Sequence, residues 1–145
     1  MAELIQEMKV TLASTFAFYL KTHNFHWNIE GPNFPQYHKF LDDLYNEVWE
    51  AVDAIAEHIR TLESYAPGSL GRYQELSIVK DEVNIPSAMS MMVKLTEDNA
   101  ALIVKLTETQ KLAEAAGKAG LSNFLQDRID IHEKHGWMLR SIVKA

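Results

Sequence analysis

The chain has 145 residues, 47% of them hydrophobic, with no Cys and a formal net charge of −6. That length is enough for one domain with a real core. The absence of Cys excludes disulfides, iron–sulfur clusters and thiolate metal sites, and the acidic balance disfavours nonspecific nucleic-acid binding, which draws its affinity from neutralising phosphates.

An acidic surface also attracts cations. No apolar run is long enough to span a membrane. The opening residues, MAELIQEMKV, lack the basic and apolar regions of a signal peptide, so a cytoplasmic protein with no membrane partner is expected. With 4 Pro and 6 Gly, no internal repeat and no low-complexity tail, the pattern is that of an all-α chain with few interruptions.

A first helix is predicted over about residues 3–28, with Ile5, Leu12, Phe16, Tyr19, His23 and His26 on one broad face at helical spacing. Gly31-Pro32 reads as a turn. Asn33 is the expected N-cap of a second helix over about 34–64, with Pro35 in its first turn and Gln36 at the capping-box position. This helix is two-faced. Leu41, Leu44, Val48, Ala51, Ile55, Ile59 and Leu62 form one stripe; His38, Asp42, Tyr45, Trp49, Asp53 and Glu57 form another, roughly 150° away. Pro67-Gly68 closes it. Residues 66–86 read as a connection holding one short helix near Leu70–Leu76. A third long helix starts after the N-cap Ser87 and stops at Gly117, and a fourth covers about 121–143, with Leu125, Ile129, His132, Leu139 and Ile142 facing inward.

Loop length then sets topology. The two short links make antiparallel hairpins. The middle link, extended, reaches about 66 Å, longer than the roughly 46 Å of the second helix. It can cross the whole bundle, as in ferritin-like four-helix folds with one long crossover.

The candidate site lies in HNFHWNIEGPNFPQYHKFLDDLYNEVWEAVDAIAEHIR. His26, His38, Asp42, Asp53 and Glu57 form a mixed imidazole and carboxylate set that suits ferrous iron. His38 and Asp42 are an i,i+4 pair, as are Asp53 and Glu57, and all four fall within about 100° of one helical face. The pairs are nevertheless about 15 positions apart, roughly 22 Å along a helix, so no single metal touches both within one chain. An antiparallel second copy, related by a two-fold axis near residues 47 and 48, brings His38/Asp42 of one chain against Asp53/Glu57 of the other, twice. The spacing predicts a metal site at a homodimer seam.

The run HNFHWNIEGPNF, then His38, Asp42 and Asp53-Ala-Ile-Ala-Glu57, resembles the Dps proteins (DNA-binding protein from starved cells), or mini-ferritins; HEKHGWMLR resembles that family's closing helix. The resemblance covers nearly the whole chain. It implies a hollow twelve-subunit shell of tetrahedral symmetry that oxidises Fe²⁺ at centres on its two-fold interfaces, with hydrogen peroxide (or dioxygen) as oxidant, and stores a ferric oxide mineral core against oxidative damage. It assigns His26, His38 and Asp42 to one subunit and Asp53 and Glu57 to its mate, and puts Trp27 beside the iron. The sequence departs from the family in three places. Its first residues carry Glu3 and Glu7 and no Lys or Arg before Lys9, and it ends Ser-Ile-Val-Lys-Ala. DNA binding by a basic tail is therefore doubtful, and a DNA-compacting role with secondary iron chemistry is the alternative reading. His58 stands where the family usually has Arg. Residues 117–123 have fewer acids than related iron-entry pores, with Asp127 retained.

Other residues have simpler expected roles. His23 reads as packing in preference to a donor behind the ligands, and His132 and His135 as structural. Asp43, Glu47 and Glu50 are expected to be solvated, with a mineral-nucleating role if they face a cavity. Met89, Met91 and Met92 are core and interface filler. A catalytically silent shell is a third reading, against which the complete five-residue set counts. No Glu-x-x-His occurs in the chain, which argues against the di-iron centre enclosed by a single bundle. There is no GxSxG, P-loop or GxGxxG motif either.

Overall fold

The computed structural model describes residues 1–144. It contains α1 (Ala2–Asn28), α2 (Phe34–Thr61), α3 (Leu70–Leu76), α4 (Ala88–Ala115) and α5 (Ala119–Val143). α1 packs on α2, α3 and α4, and α4 packs on α5. The four long helices form the ferritin-like bundle expected, with α3 in the long crossover between α2 and α4.

Burial of the α2 apolar stripe decides how that helix is turned. Leu41, Leu44, Val48, Ala51, Ile55, Ile59 and Leu62 are all at most 9% exposed. The larger of these side chains contribute roughly 2 kcal/mol each by leaving water. No rotation of α2 could recover that elsewhere, so the opposite stripe is forced outward. There His38, Asp42 and Tyr45 are half-buried, and Trp49, Asp53 and Glu57 are exposed.

α1 carries two stripes. Its core side is Leu4, Met8, Leu12, Phe18 and Phe25, joined by buried Thr11, Ser14, Thr15 and Thr22. Of the face predicted from spacing, only Leu12 is fully buried; Ile5, Phe16, Tyr19, His23 and His26 are half-buried. The threonines obscure the pattern because they satisfy themselves locally. Thr11 and Thr22 donate to the carbonyls of Glu7 and Phe18, each at 2.8 Å, so a polar residue sits in the core without an orphan group.

Helix ends follow backbone chemistry. The φ of +128° at Gly31 shapes the α1–α2 turn, and its carbonyl accepts the Phe34 N–H at 3.1 Å. The expected capping box at Asn33 and Gln36 does not form, since Asn33 makes no side-chain cap bond. Gly31 already serves Phe34, and Pro35 has no N–H to cap. α2 ends at Thr61, before Pro67-Gly68: Glu63 takes φ +63° and lets Ser64 N–H reach back to the Ile59 carbonyl, a left-handed stop usually made by Gly. Gly117 makes the same stop for α4, with φ +69° and Lys118 N–H on the Ala113 carbonyl at 2.9 Å. Ser87 and Ser69 cap α4 and α3 through their hydroxyls. The crossover is pinned to α1: Ser14 Oγ accepts the Ile78 N–H at 3.0 Å, and Lys21 donates to the Lys80 carbonyl at 2.9 Å while pairing with Asp98 of α4 at 2.8 Å.

Candidate metal centre

The α1–α2 hairpin places the last turn of α1 against the first turn of α2, and two imidazoles meet there. The His26 and His38 rings stack with centroids 3.9 Å apart and planes 13° from parallel. Each ring bonds the other residue's backbone. His26 Nδ1 lies 2.9 Å from the His38 carbonyl oxygen and His38 Nδ1 lies 2.8 Å from the His26 carbonyl oxygen. A carbonyl only accepts, so both Nδ1 atoms carry a proton, and in the neutral ring each Nε2 then keeps the lone pair. This reciprocal lock fixes ring orientation and tautomer together, as metal-binding histidines require. Phe34 stacks on the far side of His38 at 4.8 Å.

Asp42 follows one turn after His38, and Asn46 holds it, donating to the Asp42 carboxylate at 3.3 Å and to its backbone carbonyl at 2.9 Å. Further along α2, Asp53 and Glu57 lie exposed. The Glu57 carboxyl is raised above its ordinary range by its hydrogen bond with Asp53 and then by that neighbour's charge. Two acids in contact repel unless a proton or a cation lies between them. Among the described residues, no three His, Asp or Glu side chains of a single chain come together as a metal cage. His26 and His38 meet at one end of the stripe, with Asp42 one turn further along α2, and Asp53 with Glu57 lie toward the other end, about 22 Å away by helical rise.

An aromatic cluster adjoins the imidazoles. His23 stacks on Tyr45 at 3.7 Å and 10°, and packs against Trp27 at 4.0 Å. Tyr19 lies 4.8 Å from Trp49 and donates or accepts a 2.8 Å hydrogen bond with His23 Nδ1. His23 therefore packs, as expected, but it also links Tyr19 to the candidate centre.

The inner face of α2 holds what sequence spacing missed. Glu47, expected to be solvated, accepts from Arg128 at 2.5 and 3.1 Å and pairs with His135 Nε2 at 2.6 Å. Arg128 is 4% exposed. It also donates to His132 Nε2 at 2.8 Å, and His132 Nδ1–H donates to Asn99 Oδ1 at 2.9 Å. The chain Glu47–Arg128–His132–Asn99 joins α2, α5 and α4, and gives His132 and His135 the structural role expected of them. The reason for the miss is topological: Glu47 lies between Leu44 and Val48, but its partners are some 80 residues later, a contact no local period reveals. Burial alone would raise the Glu47 carboxyl; the hydrogen bonds from His135 and Arg128 and their charges outweigh it and hold it at about 2.

A family model for the ferritin-like domain matches residues 5–145. The chain is 32% identical over 145 residues to antigen TpF1 of Treponema pallidum, covering 99% of this chain and 82% of that protein. It is 27% identical to DNA protection during starvation protein 2 of Bacillus anthracis, covering 97% of each. The solved structure of Dps from Staphylococcus aureus superposes with a TM-score of 0.95 at 30% identity, over 100% of this chain and 97% of that one. TpF1 superposes with a TM-score of 0.95 at 32% identity, over 99% and 93%. With the ferritin-like bundle and its crossover helix matched end to end, this chain belongs to the Dps family of ferritin-like proteins.

Proposed function

We propose that the protein is a ferroxidase that takes Fe²⁺ as substrate, oxidises it with hydrogen peroxide, and stores the ferric product inside a homo-oligomeric shell of twelve copies. The observation that carries this reading is the reciprocal His26–His38 lock, which orients both imidazoles on the face of α2 that carries Asp42 one turn further on. Asp53 and Glu57 of a second copy complete the set across a two-fold axis near residues 47 and 48. In that arrangement His26, His38 and Asp42 hold Fe²⁺ from one side and Asp53 and Glu57 from the other. The carboxylates favour the product, because attraction grows with the ion's charge. Peroxide accepts two electrons, and two Fe²⁺ oxidised together supply both, so little hydroxyl radical is released.

Stopped-flow absorbance of iron oxidation by peroxide tests this. Purified protein is expected to exceed the rate of iron and peroxide alone and to keep the product in solution; a rate equal to the protein-free control would overturn the reading.

The name of the Bacillus anthracis relative, DNA protection during starvation protein 2, favours a second reading, DNA protection by direct binding. Charge opposes it here. Twelve copies at −6 each carry about −72, which repels phosphate. Gel shifts at sub-micromolar protein and moderate salt are expected to show no retarded DNA, and a shift that persists after iron is chelated would restore the DNA-compacting role.

A further inference from the structure

We infer that Phe34 strengthens iron binding at His38 through the face of its ring. This rests on the iron-oxidation reading above, in which His38 holds the ion, and gives a part in binding to a side chain outside the ligand set.

The α1–α2 turn delivers Phe34 to its place. Gly31 takes φ +128°, and its carbonyl accepts the Phe34 N–H at 3.1 Å, which sets Phe34 as the first residue of α2. His38 follows four positions later, one turn along the same side of the helix. The Phe34 ring lies 4.8 Å from the His38 ring with planes 22° apart. The His26 ring lies 3.9 Å from it with planes 13° apart. Two rings this close and this nearly parallel cannot share one face of His38, so Phe34 and His26 enclose it from opposite sides. The hydrogen bond from His38 Nδ1 to the His26 carbonyl, 2.8 Å long, fixes the ring within that sandwich.

Charge makes the sandwich more than packing. When its Nε2 binds an ion, an imidazole takes on part of the ion's positive charge. The two ligand rings, only 3.9 Å apart, then repel each other. The face of a phenyl ring is the negative part of its quadrupole, and it attracts a positively charged group laid over it. A neutral imidazole is attracted less. Phe34 therefore favours the ion-bound form of His38 over the free form, and that difference is what raises affinity.

The surroundings give this ring face little competition. The first turn of α2 carries no acidic residue, and a helix N-terminus presents the positive end of its dipole. Lys39 adds a cation there, which pairs with Asp43. The effect is particular to His38. Besides His38, the rings nearest His26 are Tyr45 at 5.2 Å and His23 at 5.9 Å, each tilted by 53°, so neither lies flat on it. Phe34 is 39% exposed, and at such a site a contact between a cation and a ring face changes affinity by about two- to five-fold. Phe34 does not touch the ion, so it is a positioning residue.

The test titrates Fe²⁺ into the assembled protein without oxygen and reads the affinity by calorimetry. Phe34→Leu should bind Fe²⁺ about two- to five-fold more weakly than wild type. Leu also changes the shape of the contact, so a second set keeps the ring and alters its charge distribution: mono-, di- and pentafluorinated phenylalanine incorporated in place of Phe34. Affinity should fall step by step along that series, while helix content and shell mass stay as in wild type. Equal affinity across the fluorinated series, or Phe34→Leu that binds Fe²⁺ as tightly as wild type, overturns the inference and leaves the ferroxidase reading standing. Wild-type protein that binds no Fe²⁺ and fails to accelerate its oxidation overturns the ferroxidase reading itself.

Discussion

Two variants, each expected to be inactive alone, should regain activity when mixed. One carries His38→Ala and Asp42→Ala; the other carries Asp53→Ala and Glu57→Ala. In a homodimer of either parent, both seam sites lose a ligand pair, so peroxide-driven iron oxidation should fall to the protein-free rate. After joint unfolding and reassembly the outcome changes. In a mixed dimer one site collects all four substitutions. The other combines intact His38/Asp42 from one partner with intact Asp53/Glu57 from the other, as an isologous two-fold contact demands. Random pairing makes half of the dimers mixed, so about a quarter of all sites should recover. The readout is iron oxidation normalised to protein, with mass spectrometry establishing that mixed assemblies formed. A mixture as inactive as its parents despite mixed assemblies contradicts a shared site, and so does full activity in either parent alone.

Glu47→Gln should cost more stability than any change on the exposed ligand stripe. Arg128 is 4% exposed, and Glu47 is its only carboxylate partner among the described residues. Removing that carboxylate leaves a buried cation beside His132. Breaking one half of such a pair costs about 3–5 kcal/mol, and for a chain of this size that lowers the thermal midpoint by roughly 6–20 °C. The pH dependence has a definite sign. Glu47 is held at about 2 from an ordinary 4.5, so its contribution is present above 4.5 and is lost as pH falls from there toward 2. His132 is held well below its ordinary 6.5, by burial first and then by Arg128 and His135. Its neutral form is favoured by folding, so its contribution is present above 6.5 and fades as pH drops below that. Wild-type protein should therefore lose stability on acidification in two stages, and Glu47→Gln should abolish most of the lower one. A variant within a degree or two of wild type, with the lower stage intact, would contradict the network's role.

How much of this was legible in the sequence differs from residue to residue. α2 shows the favourable case. Its apolar stripe and its ligand stripe both follow from period alone, because every residue of each stripe faces one environment along the whole helix. The start of α4 at Ser87 and its stop at Gly117 were also readable, since Ser and Gly act there through local backbone bonds. The end of α2 was not. Glu63 adopts a left-handed conformation that its side chain does not advertise, and so the helix stops before the Pro67-Gly68 signal. Nor was α1 fully readable: its buried threonines look polar until their bonds to i−4 carbonyls are seen. At the site, His26 and His38 could be nominated by type and spacing, yet the crossed Nδ1–carbonyl bonds that free both Nε2 atoms need the hairpin's three-dimensional turn. Glu47 is the plainest miss. Its carboxylate is as acidic on paper as those of Asp43 and Glu50, and only the arrival of α5 beside α2 turns it from a solvated group into the anchor of Arg128 and His135.

Anomalous diffraction at the iron edge, from crystals of the assembled protein soaked in Fe²⁺ without oxygen, tests the shared centre most directly. The expected result is anomalous density at the two-fold seam, within bonding distance of His26, His38 and Asp42 of one subunit and of Asp53 and Glu57 of its neighbour, twice per dimer. Iron bound entirely by residues of a single chain, or a seam that brings those two groups together and yet stays free of iron at saturating Fe²⁺, would contradict it.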